Sequence, residues 1–167
     1  MKFQEGKRSV YNMKEKFLTV WAYIKHQEVV IAAIYSKIAE LKPLNEDKLV
    51  HVAYQLHNLY SAYEDMFKEI SFTFENNIER NSGFHKNLLI RMKIAIPGIR
   101  PNVLSEGSYL VLGELMGFRH VFRHAYNYNL TPDKMEILRH KMLDQKATID
   151  SDINIFKQFL EEGFSRP

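Results

Sequence analysis

Apolar positions recur along this chain at the spacing of an α-helix, and they predict five helices. Between Tyr11 and Leu41 there is no proline or glycine. Phe17, Trp21, Ile24, Ile31, Ile34, Ile38 and Leu41 fall mostly three, four or seven apart. Residues at such steps share one helical face, so the stretch reads as a long amphipathic helix. Lys42-Pro43 ends it, and Asn45 offers a side-chain oxygen to the free amides of a second helix. That helix, about Glu46 to Glu75, has the cleanest stripe: Leu49, Val52, Leu56, Leu59, Tyr63, Met66, Ile70 and Phe74. Lys48, Gln55, Lys68 and Glu69 are expected on its polar face. A shorter helix follows from about Phe84 to Ala95, with Leu88, Leu89 and Met92 turned inward. Pro97-Gly98-Ile99-Arg100-Pro101 must then be a rigid loop, because proline cannot continue a helix. A fourth helix begins near Ser105, carries Leu112, Leu115 and Met116, and is expected to stop at Asn127 and Asn129. Thr131-Pro132-Asp133 opens the last one with a cap, a proline and an acid. Its stripe runs from Met135 through Leu138, Met142, Ile149, Ile153 and Phe156 to Leu160, and Gly163 is expected to close it.

Five helices with short connections imply an all-α, up-and-down bundle of four to five helices. The 167 residues suit one domain spanning 1–167. Only 7 glycines and 5 prolines are present, which also favours long helices. There is no cysteine, so disulfide and thiolate chemistry are excluded and a cytoplasmic location is the expectation. The N-terminus lacks the apolar core of a signal peptide, and no apolar run approaches the roughly 20 residues that span a bilayer; no membrane partner is expected. The net charge of +3, with a pI near 9.0, permits an acidic partner such as nucleic acid without demanding one.

The densest chemistry lies in Gly117 to Tyr126, G-F-R-H-V-F-R-H-A-Y. Arg119 and Arg123 are permanent cations whose forks suit phosphate oxygens. His124 can move a proton near neutral pH. RNA cleavage needs those roles: the ribose 2′-OH loses a proton to attack its own phosphate, while a cation stabilises charge on the phosphoryl oxygens. On a regular helix, positions five apart lie about 140° apart around the axis. Arg119 and His124 therefore share a face only if the helix is irregular or Arg119 bends round it; a two-fold dimer would also bring two copies into one cleft.

Plainer readings exist for each residue. The arginines could cap a helix C-terminus. His120 and His124, four apart, could bind zinc, but no further ligand sits at ligand spacing; no metal and no cofactor are expected. His26, His51, His57, His85 and His140 are scattered and read as structural. Tyr54, Tyr60 and Tyr63 read as core or dimer-face aromatics. Asn58 and Glu64 either border the site or form a satisfied polar pair between helices.

Arg119-His-Val-Phe-Arg-His-Ala-Tyr126 resembles R-x-x-x-x-H-x-Y, the form that the signature of the HEPN superfamily takes in HepT-like toxins. Leu56-His57-Asn58-Leu59-Tyr60 with Glu64-Asp65 resembles the second-helix segment of that family. Ile96-Pro97-Gly98-Ile99-Arg100-Pro101 with Leu104-Ser105 resembles its central loop. The likeness covers about Leu49 to Leu143. It implies an all-α homodimer whose paired motifs line a cleft, and a metal-independent endoribonuclease that acts as a toxin. It also implies a minimal nucleotidyltransferase as antitoxin, which in characterised systems adds AMP to the motif tyrosine. Carried over, Arg119 and His124 are catalytic, His120 and Arg123 support phosphate binding, and Tyr126 is the modification site. The alternative is a non-catalytic helical dimer that binds a nucleotidyltransferase or a nucleotide. The long N-terminal helix matches the family least.

Overall fold

Why the chain needs one central helix is clear from what surrounds it in a computed structural model. The structure describes residues 2–42, 45–75, 84–124 and 131–165, with the side chains of 2–12, 84 and 124 excepted. The elements are α1 (Lys2–Glu40), α2 (Glu46–Glu75), α3 (Phe84–Lys93), α4 (Glu106–His124) and α5 (Pro132–Ser165). All are α-helices, as the periodicity predicts, and α2 packs against each of the other four. That central position explains a difference from the sequence reading. Gln55 is not on a solvated face but buried, bonded to His51 on the turn before it, because a helix with neighbours on several sides has little face left for water.

The predicted stripes form one continuous core. Ile24, Ile31 and Ile38 of α1 meet Leu56, Tyr63, Met66 and Ile70 of α2 and Ile149, Ile153, Phe156 and Leu160 of α5. Phe17, Phe74, Phe156 and Phe159 close one end, with ring centroids 5.4 to 6.1 Å apart. Such tilted aromatic contacts add to their large buried area.

Helix ends are satisfied by side chains from distant parts of the chain. Asn45 Oδ1 accepts the Lys48 amide at 3.0 Å, which starts α2. Ser105 is held at the start of α4 by Asp152 of α5, which accepts its amide at 2.8 Å and its hydroxyl at 2.7 Å. The last carbonyls of α1 would be orphans. Arg139 of α5, buried, donates to Ile38 O at 3.0 Å and Ala39 O at 3.4 Å.

The loop after α3 turns at Pro97-Gly98. The Ile99 amide donates to Ile96 O at 3.0 Å, and Gly98 has φ +76°, which a glycine at that turn position adopts without strain. Gly163 does not close α5, which continues to Ser165. Its conservation of space is steric instead: a Cβ there would lie 2.0 Å from the Phe17 ring. The expected stop of α4 at Asn127 and Asn129 falls outside the described residues. Among the described residues, no helix is long and apolar enough to cross a membrane.

Candidate functional site

Gly117 through His124 lies on one uninterrupted helix, α4. Positions 119 and 124 are therefore about 140° apart around its axis, and the helix itself does not bring them together. Position 119 lies on the α2 side. Position 124 is in line with Gly117 and Val121, at steps of four and three. Those two residues, with Phe118, Met135 and Leu138, line an apolar groove of about 380 Å³ between α4 and α5. This groove is thus on the other flank of α4 from Arg119, and neither Arg119 nor Glu64 lines it.

Arg119 is set into that seam. Its side chain is 13% exposed, and its Nη1 lies 3.1 Å from Glu64 Oε2. Its guanidinium carbon lies 5.5 Å from the centre of the Tyr60 ring, a cation–π contact. Glu64 is 1% exposed, and its other oxygen, Oε1, lies 2.9 Å from both Lys68 Nζ and His85 Nδ1. One buried carboxylate therefore gathers groups from α2, α3 and α4. The contact between Oε2 and Arg119 is close but not aligned as a hydrogen bond, and Arg119 Nε is also buried without a partner. A buried carboxylate is tolerated only when such cations surround it. Burial lowers the proton affinity of the Lys68 ammonium, but its bonds to Glu64 and Asp65 outweigh that and hold it above its usual range; it stays charged. The pKa of the Tyr60 hydroxyl is raised, first by burial and then by the Glu64 charge, so it keeps its proton near neutrality.

His57 completes the seam. With Tyr60 and Glu64 it falls three and seven residues along one face of α2. Its ring packs against Phe122 at 5.5 Å, between Arg119 and Arg123 in sequence, and Phe122 stacks in turn on Phe118 at 5.8 Å. Burial depresses its proton affinity, the charges of Arg119 and Arg123 depress it further, and Glu64 opposes them. His57 Nδ1 is buried with no hydrogen-bond partner among the described residues.

Of the sequence-derived site residues, the structure brings Arg119 and Glu64 into contact. Arg123 and His120 are exposed on α4. Asn58 is half-buried, and among the described residues no hydrogen bond or ion pair joins it to Arg119 or Glu64. The His124 side chain and the whole of Tyr126 lie outside the described residues. Sequence reasoning passed over His57 and His85 as scattered histidines. The signal for His57 was its spacing to Tyr60 and Glu64. For His85, on another helix, no local spacing could have given it.

Together these groups make a rigid cation with one side held by a carboxylate and a tyrosine ring, a second cation on the surface a turn later, and a neutral imidazole beside both. That set can grip a phosphate and handle a proton.

No curated protein and no solved structure matches the chain significantly. One family does: residues 51–160, more than half of the chain, match the family described as HepT-like protein. The matched span contains most of α2, all of α3 and α4 and most of α5, and so every residue of the Arg119 seam. The chain belongs to the HepT-like family of the HEPN superfamily.

Proposed function

We propose that this protein is a ribonuclease toxin of the HEPN type, which cuts RNA without a metal ion. Arg119 stabilises the charge that grows on the phosphoryl oxygens. His124 is the general base that takes the proton of the 2′-OH, and Arg123 and His120 hold neighbouring phosphate. The observation that carries this reading is the setting of Arg119: a cation in a chain of the HepT-like family, fixed by Glu64 and Tyr60 yet not consumed by carbonyl bonds. Fixed charge at the reacting group is the largest single source of rate in such reactions.

The active form is a homodimer, which sets two motifs in one cleft and overcomes the angular separation of positions 119 and 124. Its antitoxin is a minimal nucleotidyltransferase that adds AMP to Tyr126. The added phosphodiester pairs with the motif arginines and excludes RNA by bulk and charge. The competing reading is a non-catalytic dimer that serves as a binding partner. The Glu64–Arg119 pair favours it to the extent that the pair alone accounts for a buried arginine.

The deciding experiment is cleavage of RNA by wild type and by His124→Ala, with and without EDTA. Expected are cleavage by wild type that survives chelation, 2′,3′-cyclic phosphate ends, and loss of activity in the variant with its helical circular dichroism unchanged. Wild type that leaves RNA intact but still binds a nucleotidyltransferase would favour the binding module. A monomer at micromolar concentration in sedimentation would count against the shared cleft.

A further inference from the structure

RNA cleavage by the 2′-OH has three jobs: a base for the attacking hydroxyl, a cation for the phosphoryl oxygens, and an acid for the departing 5′ oxygen. The proposed roles of His124 and Arg119 fill two. We propose that His57 is a further catalytic residue of that reaction, the general acid that protonates the 5′ oxygen. The inference rests on the ribonuclease reading above and adds to it a group on a different helix.

Three observations point to His57. The first is place. Attack and departure are in line, on opposite sides of phosphorus, so the acid must stand where the phosphoryl group is held, on the Arg119 side of α4, and the base comes from the other motif of the shared cleft. His57 comes from α2, on the Arg119 flank, with its ring against Phe122. The second is the bonding of the ring. Nδ1 is buried and has no partner among the described residues, and such a group in a native fold calls for a reason. With Nδ1 buried, Nε2 is the nitrogen we assign to the substrate. The third is that the alternatives on this side are occupied or unsuited. His85 is held on Glu64 at 2.9 Å, and Lys68 and Tyr60 keep their protons.

The surrounding charges explain how a histidine that is neutral in the empty site becomes an acid. Arg119 and Arg123 of α4 disfavour its protonation, and Glu64 of its own helix favours it. A phosphate seated on the two arginines offsets their charge, so binding RNA raises the proton affinity of His57. In the step itself the bond from the 2′ oxygen to phosphorus forms and the bond from phosphorus to the 5′ oxygen breaks. The 2′-OH proton goes to His124, and the proton on His57 goes to the 5′ oxygen.

The test replaces the bridging 5′ oxygen at the cut site by sulfur, which departs as a thiolate and needs no proton. His57→Ala should slow cleavage of ordinary RNA by about 10²- to 10⁴-fold, the usual worth of one proton-transfer group. The same variant should cut the sulfur-bridged RNA at close to the wild-type rate. Arg119→Ala should stay slow on both, since its role is not proton transfer. His57→Gln, closer in size and polarity, serves as the second variant if His57→Ala loses its helical signal. Equal slowing on both substrates, or no slowing on ordinary RNA, overturns the acid role while leaving the ribonuclease reading intact. Wild type inert on both substrates overturns the ribonuclease reading, and the His57 assignment falls with it.

Discussion

Two carboxylates on α2 each bind an arginine from far along the chain, and the two arginines are used differently. At the end of α2, Glu75 pairs with Arg91 and Arg100. Arg100 has no exposed side-chain surface and also donates to Ile94 O, Pro101 O and Arg91 O at 3.0 to 3.1 Å. Those bonds staple the Pro97–Pro101 loop to α3 and occupy both terminal nitrogens, while Nε, like that of Arg119, is buried without a partner among the described residues. Three turns earlier on α2, Glu64 meets Arg119, which lies on the Tyr60 ring, has a side chain 13% exposed and donates to no carbonyl among the described residues. Burial alone does not separate a structural arginine from a functional one. What separates them is whether the donors are already satisfied by the fold.

Exchanging the two arginines for alanine should therefore give opposite results, and the largest effect is on activity. Arg119→Ala should reduce cleavage by about 10²- to 10³-fold, the usual loss when one donor to a developing anion is removed. Arg100→Ala should leave the rate per folded molecule unchanged. Single-turnover cleavage, normalised to the folded fraction from circular dichroism, measures both. Equal loss in the two variants would erase the distinction.

Stability should rank them the other way. Arg100→Ala leaves Glu75 less compensated and frees three carbonyls, and breaking a buried pair costs about 3–5 kcal/mol. Arg119→Ala leaves Glu64 with Lys68 and His85, so its cost should be clearly smaller. Urea unfolding at neutral pH gives both values; a larger loss for Arg119→Ala would make that residue the structural one.

Glu64→Gln sharpens the contrast further. The variant keeps the shape of the side chain but removes the charge that holds Arg119. The seam becomes more positive, so RNA should bind more tightly at low salt, as expected when net positive charge faces phosphate. Arg119 also loses its anchor, and misplacing a group by an ångström costs up to roughly 10²-fold in rate. Tighter KM with lower kcat is the expected signature. If Glu64 only held the helices together, kcat per folded molecule would not change.

How much of this was legible in the sequence follows from which interactions are local. Periodicity marked α2 from Glu46 to Glu75 and placed Leu56, Tyr63, Ile70 and the α5 stripe in the core. It missed Gln55 because the width of a buried face depends on how many helices pack against it. It misread Gly163, since only the Phe17 ring 146 positions away in sequence makes that glycine necessary. The same limit applies at the site. Arg119 stood out by its neighbours in sequence and by a family resemblance. Glu64 did so only as a possible border, and His57 and His85 were read as structural, although His57 stands in the family-like segment Leu56–Tyr60, because the reason for each lies on another helix.

The smallest expected effect is a pH dependence confined to the Arg119 end of α2. Folding lowers the proton affinity of His57, first by burial and then through Arg119 and Arg123. The unfolded chain therefore binds the proton more readily than the folded one, starting near the ordinary value of 6.5. Above that value both states are neutral and His57 has no effect on stability. As pH falls through 6.5 toward the lowered value, the unfolded state gains protons first and stability declines. His57→Ala should remove that part of the decline and leave the neutral-pH curve to differ only by packing. The Glu75 cluster is held by Arg91 and Arg100, which stay charged throughout this range, so amide exchange near the Pro97–Pro101 loop should not follow the same pH dependence as exchange where α2 meets the end of α4. Inorganic phosphate extends the test. An anion on Arg119 and Arg123 relieves the charge that depresses His57, so the acid decline of wild type should become shallower with phosphate, and His57→Ala should not respond. A decline that is unchanged in His57→Ala would assign it to other groups and remove the electrostatic link between His57 and the two arginines.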